Sequence, residues 1–181
     1  ADKAIVHLHD LELQHTLHTS ANNRVVWGMG ARRDSATASS MLPAPVTWRE
    51  YRLFAHDEWR ITPSDLINIG AMVEKNAQGV VRTSPRVSYN HHLSERHTLR
   101  ASLSVAYRNP EMIEELGNHS IALTPSLYGR SRWRDILSRG GLAPEHTLAR
   151  EVGYIGQLDD AGSTLDVRAF HDQISDIMAG K

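Results

Sequence analysis

Apolar and polar residues alternate one by one over long stretches of this chain. Leu99, Ala101, Leu103, Val105 and Tyr107 form one row, and Arg100, Ser102, Ser104, Ala106 and Arg108 form the other. A period of two is that of a strand with unlike faces. The same pattern sets Val25, Trp27, Met29 and Ala31 against Arg24, Val26, Gly28, Gly30 and Arg32. Ile67, Ile69, Ala71 and Val73 oppose Asn68, Gly70, Met72 and Glu74. Leu165, Val167 and Ala169 oppose Asp166, Arg168 and Phe170. The pattern predicts eight strands, over 3–18, 24–38, 48–62, 66–75, 84–93, 97–108, 147–158 and 163–174. Such a strand content far exceeds the roughly 20–25% of an ordinary globular domain and points to an extended meander or barrel. One row is imperfect: Asp57 shares a face with Tyr51, Leu53, Ala55, Trp59 and Ile61, where a bulge would flip the register.

The connections alternate as regularly as the faces. SANN, TPSD, SER and DDAG are short and rich in turn-forming residues, whereas 39–47, 76–83 and 109–146 are long. In an up-and-down meander this puts every tight turn at one end and every long loop at the other, the asymmetry of an outer-membrane barrel. The longest connection holds the helical signals. Asn109-Pro110 before EMIEELG reads as a cap, a first-turn proline and a glycine stop at Gly117. Arg130 to Arg139, before Gly140-Gly141, is a second short helix candidate.

Alternation does not say which face is wet. A soluble sandwich or barrel, acting as a small-molecule binding module, buries its apolar face; a membrane barrel turns that face to lipid. The position of Leu103 and Val105 discriminates between the two. Composition narrows the field little: at 181 residues with a net charge of −1, the chain is long enough for one sizeable domain and is not a basic nucleic-acid binder. It has no cysteine, so neither disulfides nor thiolate metal sites are available. There is no run of eighteen apolar residues, which excludes a membrane helix but not a membrane barrel. ADKAIVHLHD lacks the pattern of a secretory signal, so the expectation is a processed chain or a piece of a longer one.

Six segments in succession resemble the barrel of a TonB-dependent outer-membrane receptor. RVVWGMGARRD is similar to the family's Gly-x-x-Tyr/Arg-x-Asp strand, and YRLFAHDEWRIT to its Phe-x-Gln-Asp-Glu-Trp strand, with His56 in place of Gln. INIGAMVEKN resembles Leu-x-x-Gly-x-Arg-x-Glu, with Met72 for Arg. SPRVSYNHHLSERHTLRASLSVAYRNP resembles a Pro-Arg-x-x-x-x-Tyr strand, its turn, and the Leu-Arg-x-Ser-x-x-x-x-Phe-Arg-x-Pro strand that follows. GLAPEHTLAREVGYIGQL and LDVRAFHDQISDIM match the next two. The resemblance covers about residues 10–175. It implies an all-β antiparallel meander forming one partial-barrel domain over 1–181, in the outer membrane of a Gram-negative bacterium. It also implies energised uptake of a scarce ligand such as an iron–siderophore or cobalamin, with lipid, a small-molecule ligand and TonB as partners. No plug domain and no terminal aromatic strand have a counterpart here, so the expectation is a portion of a twenty-two-stranded barrel that self-associates when isolated.

Within this frame Leu99, Leu103 and Val105 are expected to face lipid, and Arg100, Ser102 and Arg108 the lumen. The candidate ligand-binding residues are Tyr128, Arg130, Arg132, Trp133 and Arg134, because arginine forks and aromatic faces suit anionic or aromatic ligands. Other chemistry is thinly represented. VVWGMGARR lacks the third glycine of a dinucleotide fingerprint, Arg33 standing in its place, and small residues on an inner barrel face explain Gly28 and Gly30 better. Of the eleven histidines, His7 and His9 share a face, His15 and His18 do not, and His91 and His92 point oppositely. No His-Glu-x-x-His helix is present, and no metal or cofactor is expected. Glu111, Glu114 and Glu115 read as a charged helix face, and there is no Gly-x-Ser-x-Gly elbow; an enzyme is not expected.

Overall fold

The computed structural model describes residues 4–122, 132–158 and 162–178, with the backbone alone at 120–122 and 132–136. Eight strands make one antiparallel sheet: β1 (Ala4–Ser20), β2 (Asn23–Ala38), β3 (Val46–Arg60), β4 (Asp65–Lys75), β5 (Val81–Ser94), β6 (His97–Arg108), β9 (Glu145–Gln157) and β10 (Thr164–Ser175). Each pairs with the next in this order. The connection between β6 and β9 holds helix α1 (Met112–Leu116) and a separate hairpin of β7 (Asn118–Ala122) and β8 (Arg132–Leu137). All eight predicted strands are present, with every end within three residues of its expected place. Leaving aside the small hairpin, the tight turns lie at one end of the sheet and the long connections at the other.

Three local expectations are corrected. The helix expected from Arg130 to Arg139 is instead strand over Arg132–Leu137, because β7 offers a backbone ladder that satisfies its polar groups. A segment this short has no decisive period of its own. Helix α1 is capped at Glu111, not Asn109; Pro110 precedes the cap, and Glu114 Oε2 accepts the Glu111 N–H at 2.8 Å. No bulge occurs at Asp57, whose strand keeps register with both neighbours. Asp57 sits three residues from the end of β3, where the Asn23 side-chain amide donates to it at 2.5 Å. On a strand that faced lipid, a carboxylate this close to the end would be far cheaper than one at mid-depth.

The two faces differ in the sense opposite to that of a soluble protein. Leu53, Ile69, Val87, Leu99 and Val152 belong to one face and are exposed, Leu99 and Leu103 each at 44%. Their alternate neighbours Arg52, Arg86, Arg100, Ser102 and Glu151 belong to the other; of these Arg52, Ser102 and Glu151 are half-buried, and the Arg100 side chain keeps 26% of its exposure. The charged face is therefore the sheltered one, and the apolar face looks out. Among the described residues only Val26, Ala36 and Leu42 are buried apolar side chains. Cohesion rests on the backbone ladders, not on a hydrophobic core. This arrangement excludes the soluble sandwich or closed barrel with an apolar interior. The sheet is also open: β1 and β10 are its edges, and every residue of β1 is exposed.

Candidate functional site

The sheltered face is a wall of arginines. On it Arg24, Arg32, Arg52, Arg100, Arg108 and Arg168 are held by carboxylates, from the same strand or from elsewhere in the chain, while Arg86 has no such partner among the described residues. Arg52 of β3 reaches across β2 to two acids of β1, with Nη2 2.9 Å from both Asp10 and Glu12. Arg24 pairs with Glu58 at 3.0 Å and Arg32 with Asp34 at 2.8 Å. Arg100 lies between Glu151 at 3.3 Å and Asp166 at 3.5 Å, and Arg168 closes on the same Asp166. Two glycines make this flat packing possible. A Cβ at Gly30 would stand 2.6 Å from Arg52 Nε, and one at Gly153 would stand 2.8 Å from Arg100 Nε. Each glycine is the direct cross-strand partner of the arginine it accommodates. Gly28 and Gly30 are thus space for neighbouring side chains and not part of a nucleotide fingerprint, as their place on an inner face suggested.

At the long-loop end the connections are tied to one another. The Asn118 N–H donates to Met41 O at 2.8 Å, joining the β6–β9 connection to the loop after β2. The Asn76 side chain, buried in the loop after β4, donates to Asn109 Oδ1 at 3.2 Å. Arg108 grips Glu145 at 2.8 Å and Glu114 at 3.1 Å, fixing α1 over the start of β9. That guanidinium, helped by the Glu111 N–H, holds the Glu114 carboxyl below the usual carboxylate range. A depressed value keeps the pair intact above the ordinary carboxylate pKa and releases it as pH falls through the lowered one.

Glu115 is buried beneath this end, and its carboxylate accepts the backbone N–H groups of Gly141 and of Leu142, the latter at 3.0 Å. Gly140 and Gly141 both have positive φ, 68° and 72°, which lets the backbone turn its N–H groups toward the acid. Glu115→Ala would orphan these donors at a cost of about 1–3 kcal/mol. The expected result is faster hydrogen exchange and proteolysis within 109–144, with exchange in β2–β5 unchanged.

Between this end and the wall lies a cleft of about 480 Å³. Arg32, Asp34, Trp48 and Glu50 line it from β2 and β3, with Met41 and Met112 from the connections above. Asp34 is the cross-strand partner of Trp48, and Arg32 of Glu50. One aromatic face, one guanidinium, the Asn109 amide and three carboxylates (Asp34, Glu50 and Glu111) among apolar side chains suit a small ligand with both ring surface and polar groups. A second hollow, about 580 Å³ between β5, β6, β9 and β10, is walled largely by the outward face at Val87, Leu103 and Val152 and shares little with the cleft.

The cleft has no signature in any single stretch of the sequence. Its residues come from three strands and two connections, and only the pairing register brings them together. Trp48 carried the one usable signal, a large aromatic at a loop-proximal strand position on the polar side of the pattern. Of the candidates that were named, Tyr128 and Arg130 lie outside the described residues. Arg132, Trp133 and Arg134 fall in β8, where they are the backbone partners of Ala122, Ile121 and Ser120. Among the described residues no group of three or more histidine or acidic side chains is placed to hold a metal ion.

Comparison with known proteins gives a consistent result. Residues 7–179 match the family model described as TonB dependent receptor-like, beta-barrel. The siderophore receptor PirA from Pseudomonas aeruginosa superposes with a TM-score of 0.79 at 16% identity, over 96% of this chain and 33% of that one. The ferric enterobactin receptor PfeA from the same organism gives 0.72 at 18% identity, over 93% of this chain and 27% of PfeA. PirA from Acinetobacter baumannii gives 0.65 at 13%, over 92% of this chain and 31% of that one. The chain thus spans about a third or less of the length of these structures. No curated protein matches it significantly in sequence. With nearly its whole length accounted for by the one model, the chain belongs to the TonB-dependent receptor β-barrel family.

Proposed function

We propose that this chain forms wall and mouth of an outer-membrane receptor that takes up a small iron chelate of the siderophore class. The carrying observation is the inverted sheet, apolar outside and charged within, under a mouth of tied loops. The similar structures, a siderophore receptor and a ferric enterobactin receptor, supply the ligand class. In this reading the membrane lies against Leu99, Leu103 and Val105, and the part over 1–181 serves as one barrel domain. The loop residues Tyr128, Arg130, Arg132, Trp133 and Arg134 make first contact with the ligand, and the cleft at Trp48 receives it. The work is binding and passage, not bond chemistry, with TonB supplying the energy.

The test uses the receptor in outer-membrane vesicles, with ferric catecholate, ferric hydroxamate and cobalamin as probes. Saturable binding of one iron chelate is expected. Trp48→Ala combined with Arg130→Ala and Arg134→Ala should weaken it about tenfold or more, since hydrogen bonds to charged groups contribute about 1.5–3 kcal/mol each. Val87→Ala, on the outward face, should leave it unchanged. Absence of saturable binding for every iron chelate, or binding of cobalamin alone, overturns the ligand class.

A further inference from the structure

Most of the inner-face arginines are ion-paired, whereas the outward face ends in cations that are not. Arg33 of β2 and Arg49 of β3 are direct cross-strand partners on that face. Lys75, the last residue of β4, is the partner of Tyr51, two residues along β3 from Arg49. All three side chains are exposed, and no ion pair or hydrogen bond engages them among the described residues. Like charges directly opposite in a ladder are destabilising, so the arrangement costs stability unless something outside the chain neutralises it.

The sign of the surroundings sharpens the point. In the eight-stranded sheet, the outward face carries only two carboxylates, Asp57 and Asp65, and both lie at the tight-turn end. Each is already engaged, Asp57 by Asn23 and Asp65 by His91 at 2.7 Å. The long-loop end of this face is therefore cationic without an internal counter-charge. Directly toward the tight turns from the three cations, the same rows continue as Met29, Leu53 and Val73, which are mutual partners and exposed. Tyr51, 53% exposed, sits at the boundary between the apolar rows and the charges. An apolar band, then an aromatic ring, then fixed positive charge is the profile of the acyl, interfacial and headgroup layers of an anionic lipid.

We propose that Arg33, Arg49 and Lys75 form a binding site for the phosphate groups of an anionic lipid in the leaflet at the long-loop end of the barrel. The two guanidiniums offer forked donors to phosphate oxygens, Lys75 adds a point charge, and Tyr51 and Leu53 lie along the acyl chains. A phosphorylated lipid meets both the apolar rows and the charges; a free phosphate meets only the charges. The site rests on the membrane reading above, and the experiment separates the two.

Wild-type protein and the variant Arg33→Gln/Arg49→Gln/Lys75→Gln are reconstituted in phosphatidylcholine vesicles, and insertion is followed by protease protection. The vesicles are then doped with a diphosphorylated glycolipid (lipid A) or its dephosphorylated form, and retained lipid is measured after detergent extraction by native mass spectrometry. Both proteins should insert into phosphatidylcholine. Wild type should retain the phosphorylated lipid about tenfold or more over the dephosphorylated one, a preference the triple variant loses. Arg60→Gln, at the tight-turn end, should keep the preference, and millimolar inorganic phosphate should not abolish it. Insertion of both proteins with equal retention of both lipids overturns the site and leaves the membrane reading standing. Competition by inorganic phosphate overturns the lipid as occupant. Failure of wild type to insert overturns both.

Discussion

Leu103→Arg is expected to abolish stable insertion, while Ser102→Arg, one residue away, leaves it intact. Leu103 lies near the middle of β6 on the exposed apolar face, between Val87 and Arg150 of the adjoining strands. An arginine on the lipid side at mid-depth costs about 2–4 kcal/mol, a change of roughly 30-fold to 1,000-fold in the insertion equilibrium. Ser102 lies on the sheltered face, where its cross-strand partners are Ser88 and Glu151. An arginine there meets a carboxylate in a wall already built from such pairs. The readout is the fraction of chain protected from protease in vesicles, with circular dichroism to confirm that both variants form sheet. Equal loss in both would reverse the assignment of the faces. Arg150 belongs to the outward face already, so the natural chain places one guanidinium near this depth. A second beside it adds repulsion to the transfer cost.

The second large effect concerns the edges. β1 runs 17 residues with one side of its backbone ladder unpaired, and β10 leaves the opposite edge free. Leu11, at 75% exposure, and Phe170, at 73%, add apolar surface to these two strands. A long, exposed, apolar edge strand is a template for pairing with another chain. In mild detergent the 181-residue protein should sediment as dimers and larger species at micromolar concentration. Placing Lys at both Leu11 and Leu13 should shift it toward monomer, since charges blunt an edge. A clean monomer of the unaltered protein would show that these edges do not govern association.

The strands were legible because their information is local. Leu99 to Tyr107 and Val25 to Ala31 state their period without reference to anything else in the chain, and tight turns such as TPSD fix which neighbour each strand meets. The direction of the apolar face was not contained in the period; it needed either the family resemblance or the structure. Glu115 was read as one member of a charged helix face, yet it is the buried acceptor of two backbone N–H groups. Nothing local distinguishes it from Glu114, because its partners Gly141 and Leu142 are brought to it by the return of the chain from the β7–β8 hairpin. The cleft around Trp48 was hidden for the same reason: cross-strand register is a property of two segments, and a single run of sequence does not carry it. The exchange of helix for strand at Arg132–Leu137 is the converse case, in which a ladder partner overrides a weak local preference.

The pairing of arginines with carboxylates along the sheltered face also shapes what a charged traveller would feel. Arg52 with Asp10 and Glu12, Arg24 with Glu58, and Arg100 with Glu151 and Asp166 place opposite signs a few ångströms apart. Fields from such close pairs cancel within a short distance, and dissolved ions damp what is left over about 8–10 Å. On the proposed uptake reading, an anionic solute moving past these pairs would meet a nearly level potential. On the same reading, dwell time would be decided where aromatic and polar groups converge around Trp48, and the paired surface beyond would serve as a low-friction track.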